Sequence, residues 1–460
     1  MRPGLWLKTV SLLLAALLLL GGCAQQAPVS SQEEVAPLAN DGRSAQVVVG
    51  EILESRERTD VLLEIAEKYM ADYPNTQVTV MTYATPESLQ TALAAGQVQI
   101  ADLPREQAVS CIQAGLLSDL GEDFARWTES ATLQTPMKWA SHGGDSLHTY
   151  LFPSDLSLPV LLYRQDRMDA YNEGKASAEM IYCRSWDQLL AASEALGDQG
   201  KLVFAGDRLV DRFDTFVWSK LTVGRLLDTG FGYYYPVPEG EPQQTVFTQE
   251  TAAQGAEQFL RLMTRAALPE TFSYTEDQAL QAFLDGRASF LLAGREAVAA
   301  VQEALPEGAW AVRGYPVGMV GVSVVSPYDY RGWGVAADAA DRDIVLHFLA
   351  TLSNADNNTH YAVTCGTFPL HSTSLQLEPD LTSGVFSGEI SMARSPEVYF
   401  CAQEPLQYRA WADYRPQANE KLRQYLAGDL TQKDLLAWLD SYWMAAFEAE
   451  GPRWSTKPAA

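Results

Sequence analysis

The chain has 460 residues, 47% of them hydrophobic, enough for a sizeable core and for two or three domains. Its formal charge is −25 and its Lys and Arg residues form no cluster, which excludes a nucleic-acid-binding face. The five histidines are scattered and the five cysteines form no Cys-x-x-Cys pair, so no metal site and no cofactor is expected.

Arg2 and Lys8 precede an apolar run from Val10 to Leu20. That run is shorter than the ~20 residues of a spanning helix and has the layout of a secretory signal. Leu20-Gly21-Gly22-Cys23 resembles a bacterial lipobox. In that reading residues 1–22 are removed, and Cys23 becomes the first mature residue and carries the lipid that anchors the chain to a membrane. An ordinary signal peptide containing a cysteine is the plainer alternative. Residues 23–45 are rich in Ala, Gln, Pro and Ser and read as a flexible tether. Losing Arg2 and Lys8 with the signal takes the charge from −25 to −27, which favours solubility. Cys111, Cys183, Cys365 and Cys401 are far apart; they are either buried thiols or disulfides whose pairing spacing does not give.

From Gln46 onward strands and helices alternate. Gln46–Gly50 reads as a buried strand, and a helix capped by Thr59 or Asp60 carries Leu62, Ile65, Tyr69 and Tyr73 to Pro74. Val78 and Val80 mark a strand. Thr85-Pro86 opens a helix that stops at Gly96, and Val98 and Ile100 begin a third strand. Ser185 with Gln188 and Thr275 with Gln278 are capping boxes, for helices ending at Gly197 and Gly286. Strands are expected at Leu202–Phe204 and Ala288–Leu292, and a helix from Arg295. Leu435, Trp438, Leu439, Tyr442, Trp443, Ala446 and Phe447 make the wide apolar stripe of a C-terminal core helix. The alternation predicts an α/β fold with parallel pairing.

Six stretches carry a family resemblance: LLEIAEKYMADYPNTQVTVMTY with IQAGLLSDL, LFPSDLSLPVLLYRQDRM with SWDQLLAASEAL, AFLDGRASFLLAGREAV, and RGWGVAADAADRDIVLHFLATLSN. In order and spacing they resemble the extracellular solute-binding proteins of ABC importers, in particular the sugar-binding group. Ala101-Asp102-Leu103-Pro104 and Arg295-Glu296 depart from the family's habit. The resemblance implies a periplasmic-binding-protein-like fold of two α/β lobes with a ligand cleft between them. Residues 46–154 and 312–336 would form the first lobe, and 155–311 and 337–460 the second. Crossings are expected near 153–157, 310–315 and 334–338. It also implies a monomer that captures a mono- or oligosaccharide, delivers it to ABC permease subunits and catalyses nothing.

A sugar calls for flat aromatic faces and short polar side chains. At strand ends and crossings the candidates are Glu51, Asp155, Arg212, Asp214, Trp218, Tyr233, Arg295 and Trp333. Gly332 and Gly334 would let a ligand approach the backbone beside Trp333. Tyr233-Tyr234-Tyr235 reads as a loop. Each candidate has a structural alternative as a solvated acid, a core aromatic or an interdomain ion pair. Gly332–Ala337 matches G-x-G-x-x-A but lacks the strand before it and the helix after it, so a dinucleotide enzyme is disfavoured. A glycosidase pair of acids is disfavoured too. The same fold binding a polyamine, a peptide or a phosphorylated compound stays open, as does a lipoprotein with a degenerate cleft. A phosphate site asks for helix N-termini and cations, which this acidic chain offers sparingly.

Overall fold

The computed structural model describes residues 40–53, 55–128, 148–157, 159–220, 233–235, 237, 240–316, 324–326, 329–371, 373–374, 398–400 and 408–451. Cys23, the signal segment and Cys401 lie outside them. The first run comprises β1 (Ala45–Ile52), α1 (Arg56–Asp72), β2 (Thr76–Tyr83), α2 (Pro86–Ala94), β3 (Ile100–Pro104), α3 (Arg105–Gln113), α4 (Gly121–Thr128) and β4 (Leu151–Ser157). A second run follows as β5 (Val160–Tyr163), α5 (Gln165–Asn172), α6 (Trp186–Leu196), β6 (Leu202–Phe204), α7 (Leu209–Lys220), β7 (Tyr234–Tyr235), β8 (Gln244–Thr245) and α8 (Glu250–Ala266). It continues through α9 (Glu276–Leu284), β9 (Phe290–Ala293), α10 (Ala297–Ala304) and β10 (Ala311–Gly314). The chain ends with β11 (Val324–Ser326), β12 (Asp329–Val335), α11 (Arg342–Leu352), α12 (Ala355–Cys365), β13 (Val398–Phe400), α13 (Trp411–Ala427) and α14 (Gln432–Glu450).

Two main sheets result. The first has the order β2-β1-β3-β12-β4 and the second β10-β5-β9-β6. β1 pairs in parallel with β2 and β3, whereas β12 runs antiparallel between β3 and β4. Val47, Val49, Val78, Ile100 and Leu103 are buried in the first sheet. In the second sheet Val160, Leu162, Val203 and Leu291 pack on Ala279, Phe283, Val298 and Val301 of α9 and α10. Thr275 forms the expected capping box, and Thr85, expected as a cap, forms one as well with Ser88. At Ser185 only half of the expected box is made, since Ser185 accepts from Gln188 N while the Gln188 side chain accepts from Arg184 N at 3.0 Å. Helix α1 starts a turn ahead of the expected cap because Ser55 accepts from Arg58 N. The tether is shorter than expected: the Asn40 amide donates to Tyr69 and Thr76 at 3.1 Å, fixing this end to the first sheet.

The chain leaves the first sheet between β4 and β5 and returns between β10 and β12. The crossing expected at 334–338 does not occur. β12 stays paired with β3 to Val335, and α11 and α12, assigned by sequence to the second lobe, pack against α1 and the first sheet. Burial explains this: Ile344, Val345, Phe348, Leu349 and Leu352 of α11 are all enclosed there, and Phe348 meets Tyr69 edge-on at 4.9 Å. His347 Nδ1 adds a bond to Tyr69 Oη at 2.8 Å. α13 and α14 pack on α7 and α8 over the second sheet.

Candidate functional site

At the carboxyl ends of β1, β3 and β4 a group of charges is buried between strands and helix starts. Asp102, fully enclosed in the middle of β3, receives Arg331 Nη2 at 2.8 Å and Nε at 3.2 Å on both oxygens. Arg58, in the first turn of α1, reaches Asp102 at 3.3 Å and Asp155 of β4 at 3.0 Å. The Tyr361 ring of α12 lies 5.6 Å from the Arg58 guanidinium. Glu51 is buried behind this group and accepts from Thr59 Oγ1. Burial raises its carboxyl above the ordinary range; the Thr59 bond opposes that, and Asp102 adds to the rise. A register shift at Arg331/Gly332 leaves Ser154 as the extra residue of β4, and Asn358 Nδ2 of α12 bonds its freed carbonyl at 3.0 Å.

This group forms one wall of a cleft of about 620 Å³ between the lobes. Arg58, Arg105, Asp155 and Arg331 face it from the first lobe, and Arg208, Arg295, Glu296 and Arg415 from the second. Arg415 of α13 joins the two sides, donating to Glu106 of α3 at 2.7 Å and to Asp211 of α7 at 2.8 Å. Burial pushes the Asp211 carboxyl up, but Arg415 and Arg208 outweigh it and hold it below the ordinary range.

Of the eight sequence candidates, Asp155 and Arg295 line the cleft and Glu51 stands behind it. The other five are not on that lining. Trp333 is enclosed in mid-sheet, opposite Asp102 and Phe152. The flanking glycines serve strand packing: a Cβ on Gly332 would lie 2.9 Å from Leu151 Cβ, and one on Gly334 2.9 Å from Leu117 Cδ2. Arg212 donates to Tyr315 Oη at 2.8 Å. Asp214, Trp218 and Tyr233 belong to the core beneath α14, and Tyr234-Tyr235 is strand β7, not loop. Sequence reasoning missed Arg58, Arg105, Arg208, Arg331 and Arg415. A signal existed: Arg58, Arg105 and Arg208 stand at helix starts, where the helix dipole disfavours cations.

Residues 64–385 match the family of bacterial extracellular solute-binding proteins. The chain belongs to that family. No curated protein matches the sequence. The solute-binding protein shares its fold with a cyclo/maltodextrin-binding protein complexed with maltotetraose, at 16% identity and TM-score 0.69, covering 90% of this chain and 100% of that one. An ABC substrate-binding protein from Listeria monocytogenes in complex with cycloalternan gives 15% identity and TM-score 0.63 over 89% and 99% of the two chains. A maltodextrin-binding protein from L. casei gives 14% and 0.66 over 88% and 99%.

Two further features of the solute-binding protein bear on its chemistry. Cys111 and Cys183 are buried free thiols and Cys365 a partly buried one, with burial pushing each up to about 11, so none is a reactive thiolate. In the second lobe Asp214 is enclosed in α7; its Oδ2 accepts from Tyr233 Oη and its Oδ1 has no hydrogen-bond partner among the described residues. Burial holds this carboxyl well above its ordinary value of 3.8, the Tyr233 bond opposing and Asp211 reinforcing the rise. The folded protein therefore keeps a proton that the unfolded chain releases as pH passes 3.8. The stability this gives is complete below that pH and is lost as pH rises toward the folded value. The unfolding midpoint is expected to fall with rising pH above 3.8, and Asp214→Asn to flatten that fall. Midpoints of both chains across the pH range check this; parallel curves would mean that Asp214 ionises alike in both states.

Proposed function

We propose that the protein is an extracytoplasmic lipoprotein that captures a saccharide between its lobes and presents it to the permease of an ABC importer. The observation that carries this is the cleft itself, walled by strand ends and helix starts of both sheets, where ligands of open α/β sheets bind. The relatives' ligands support a saccharide: cycloalternan, maltotetraose, maltose and tagatose are bound in proteins of this fold. Asp155 and Arg295, one from each lobe, are the sequence candidates assigned to the ligand. The links after β4 and after β10 act as the hinge. Ligand favours closure by its differential affinity for the closed state, and no bond of the solute is made or broken. Cys23 carries the lipid, residues 24–39 give the cleft reach from the membrane, and the protein works as a monomer without a cofactor. Among the described residues no helix is long and apolar enough to cross a membrane.

Thermal unfolding of the full chain, scanned against mono- and oligosaccharides, polyamines and short peptides, tests the reading. A saccharide at about 100 times its Kd adds roughly 2.7 kcal/mol and raises the midpoint. Shifts with polyamines or peptides alone would overturn the saccharide assignment. No shift with any of them would favour a cleft that no longer binds solute.

A further inference from the structure

The whole chain carries 33 Lys and Arg against 58 Asp and Glu, yet the cleft reverses that balance. Among the described residues its lining holds six arginines (Arg58, Arg105, Arg208, Arg295, Arg331, Arg415) against four acids (Glu87, Glu106, Asp155, Glu296), and no lysine. Asp102, Asp211 and Glu276 stand behind and partner Arg58, Arg331, Arg208 and Arg415. The positions of the arginines are as telling as their number. Arg58 is in the first turn of α1, Arg105 is the first residue of α3, Arg208 immediately precedes α7, and Arg295 lies two residues ahead of α10. A helix start already bears about half a positive charge. Four helix starts of one cleft thus add a cation where the dipole opposes it, and neither α3 nor α10 has a side-chain cap. Such an arrangement is costly in the empty protein and becomes favourable when an anion sits among the helix starts. Tyr330 is the one aromatic residue in the lining among the described residues, so flat faces for a neutral sugar are scarce where forked cations are plentiful.

We propose that this cleft is built for an acidic saccharide, one whose carboxylate, sulfate or phosphate group is clasped between Arg105 of the first lobe and Arg295 of the second. This rests on the capture reading and narrows it. Guanidinium forks match the paired oxygens of such groups, while Asp155 and Glu296 accept from the sugar hydroxyls. Arg105 and Arg295 come from opposite walls, so an oxyanion between them draws the lobes together, alongside the Arg415–Glu106 bridge.

Calorimetric titration of the full chain with matched pairs tests this. The panel sets oligogalacturonates against their methyl esters, sulfated uronate disaccharides against desulfated and esterified ones, and hexose phosphates against free hexoses, with inorganic phosphate and sulfate alone. At least one acidic member is expected to bind at least about tenfold tighter than its neutral partner, the size of one charge-assisted hydrogen bond. The preference should shrink as salt rises from about 0.05 to 0.5 M. Arg105→Gln, at a helix start on the cleft wall, and separately Arg295→Gln should each weaken the acidic form more than its neutral partner and so remove the preference. A neutral sugar bound as tightly as its acid overturns the charge assignment and leaves capture standing. Inorganic phosphate or sulfate bound as tightly as the sugar ester overturns the saccharide half. A panel in which no sugar binds overturns both.

Discussion

Replacing Trp443 by alanine is expected to destabilise the protein by about 3–5 kcal/mol, the cost of emptying a fully buried tryptophan site. Trp443 in α14 is wholly enclosed. Its ring lies 4.5 Å from that of Tyr233, 4.8 Å from Tyr414, 5.7 Å from Tyr442 and 6.0 Å from Tyr408. These aromatics come from three stretches of chain, around Tyr233, Tyr408–Tyr414 and α14 itself, so no single neighbour can move in to fill the gap without disturbing the rest. The same ring stack secures α13 and α7, which carry Arg415 and Asp211 at the cleft, so looser packing should also weaken ligand binding. Urea unfolding with a second-lobe probe measures the loss. Trp443→Phe separates shape from chemistry: it keeps the stacking and removes the indole N–H, so its cost should be well below that of alanine. A loss under about 1 kcal/mol for the alanine variant would mean that the cluster collapses freely around the gap.

What could be read from the sequence was local. Caps at Thr85, Ser185 and Thr275 and positive-φ glycines at Gly96, Gly197 and Gly286 bound helices where their own chemistry puts them. What could not be read depended on pairing at a distance. Asp102 meets Arg331 across 229 positions and Arg58 meets Asp155 across 97, and no local rule announces such partners. Trp333 looked like a ligand face because it sits between glycines, but those glycines relieve contacts with Leu151 and Leu117. α11 and α12 have apolar faces that either sheet would suit; the seat where Phe348 of α11 meets Tyr69 exists only once α1 is docked. The charge of the cleft was hidden in the same way, because an acidic total says nothing of where its few arginines gather. The readable trace was arginine at the wrong end of several helices.

Asp102→Ala is expected to cost about 3–5 kcal/mol, because it leaves buried positive charge without its counter-ion. Asp102 is wholly enclosed and neutralises Arg331 through both its oxygens while also receiving Arg58. Asp155 still meets Arg58 after the change, so the uncompensated charge falls on Arg331. Burial of an ion pair is itself nearly neutral against an apolar pair of similar volume, so the loss belongs to the orphaned cation. That argument has a second arm. Adding Arg331→Met to Asp102→Ala should restore a large part of the lost stability, whereas Arg331→Met alone, which leaves Asp102 with Arg58, should cost less than Asp102→Ala. Urea denaturation of the three variants measures the cycle. Additive losses would mean that Arg331 escapes to the cleft and is hydrated there, which its position on the lining allows. Recovery in the double variant would show that Asp102 holds Arg331 against the sheet end, fixing the direction in which this arginine meets a ligand.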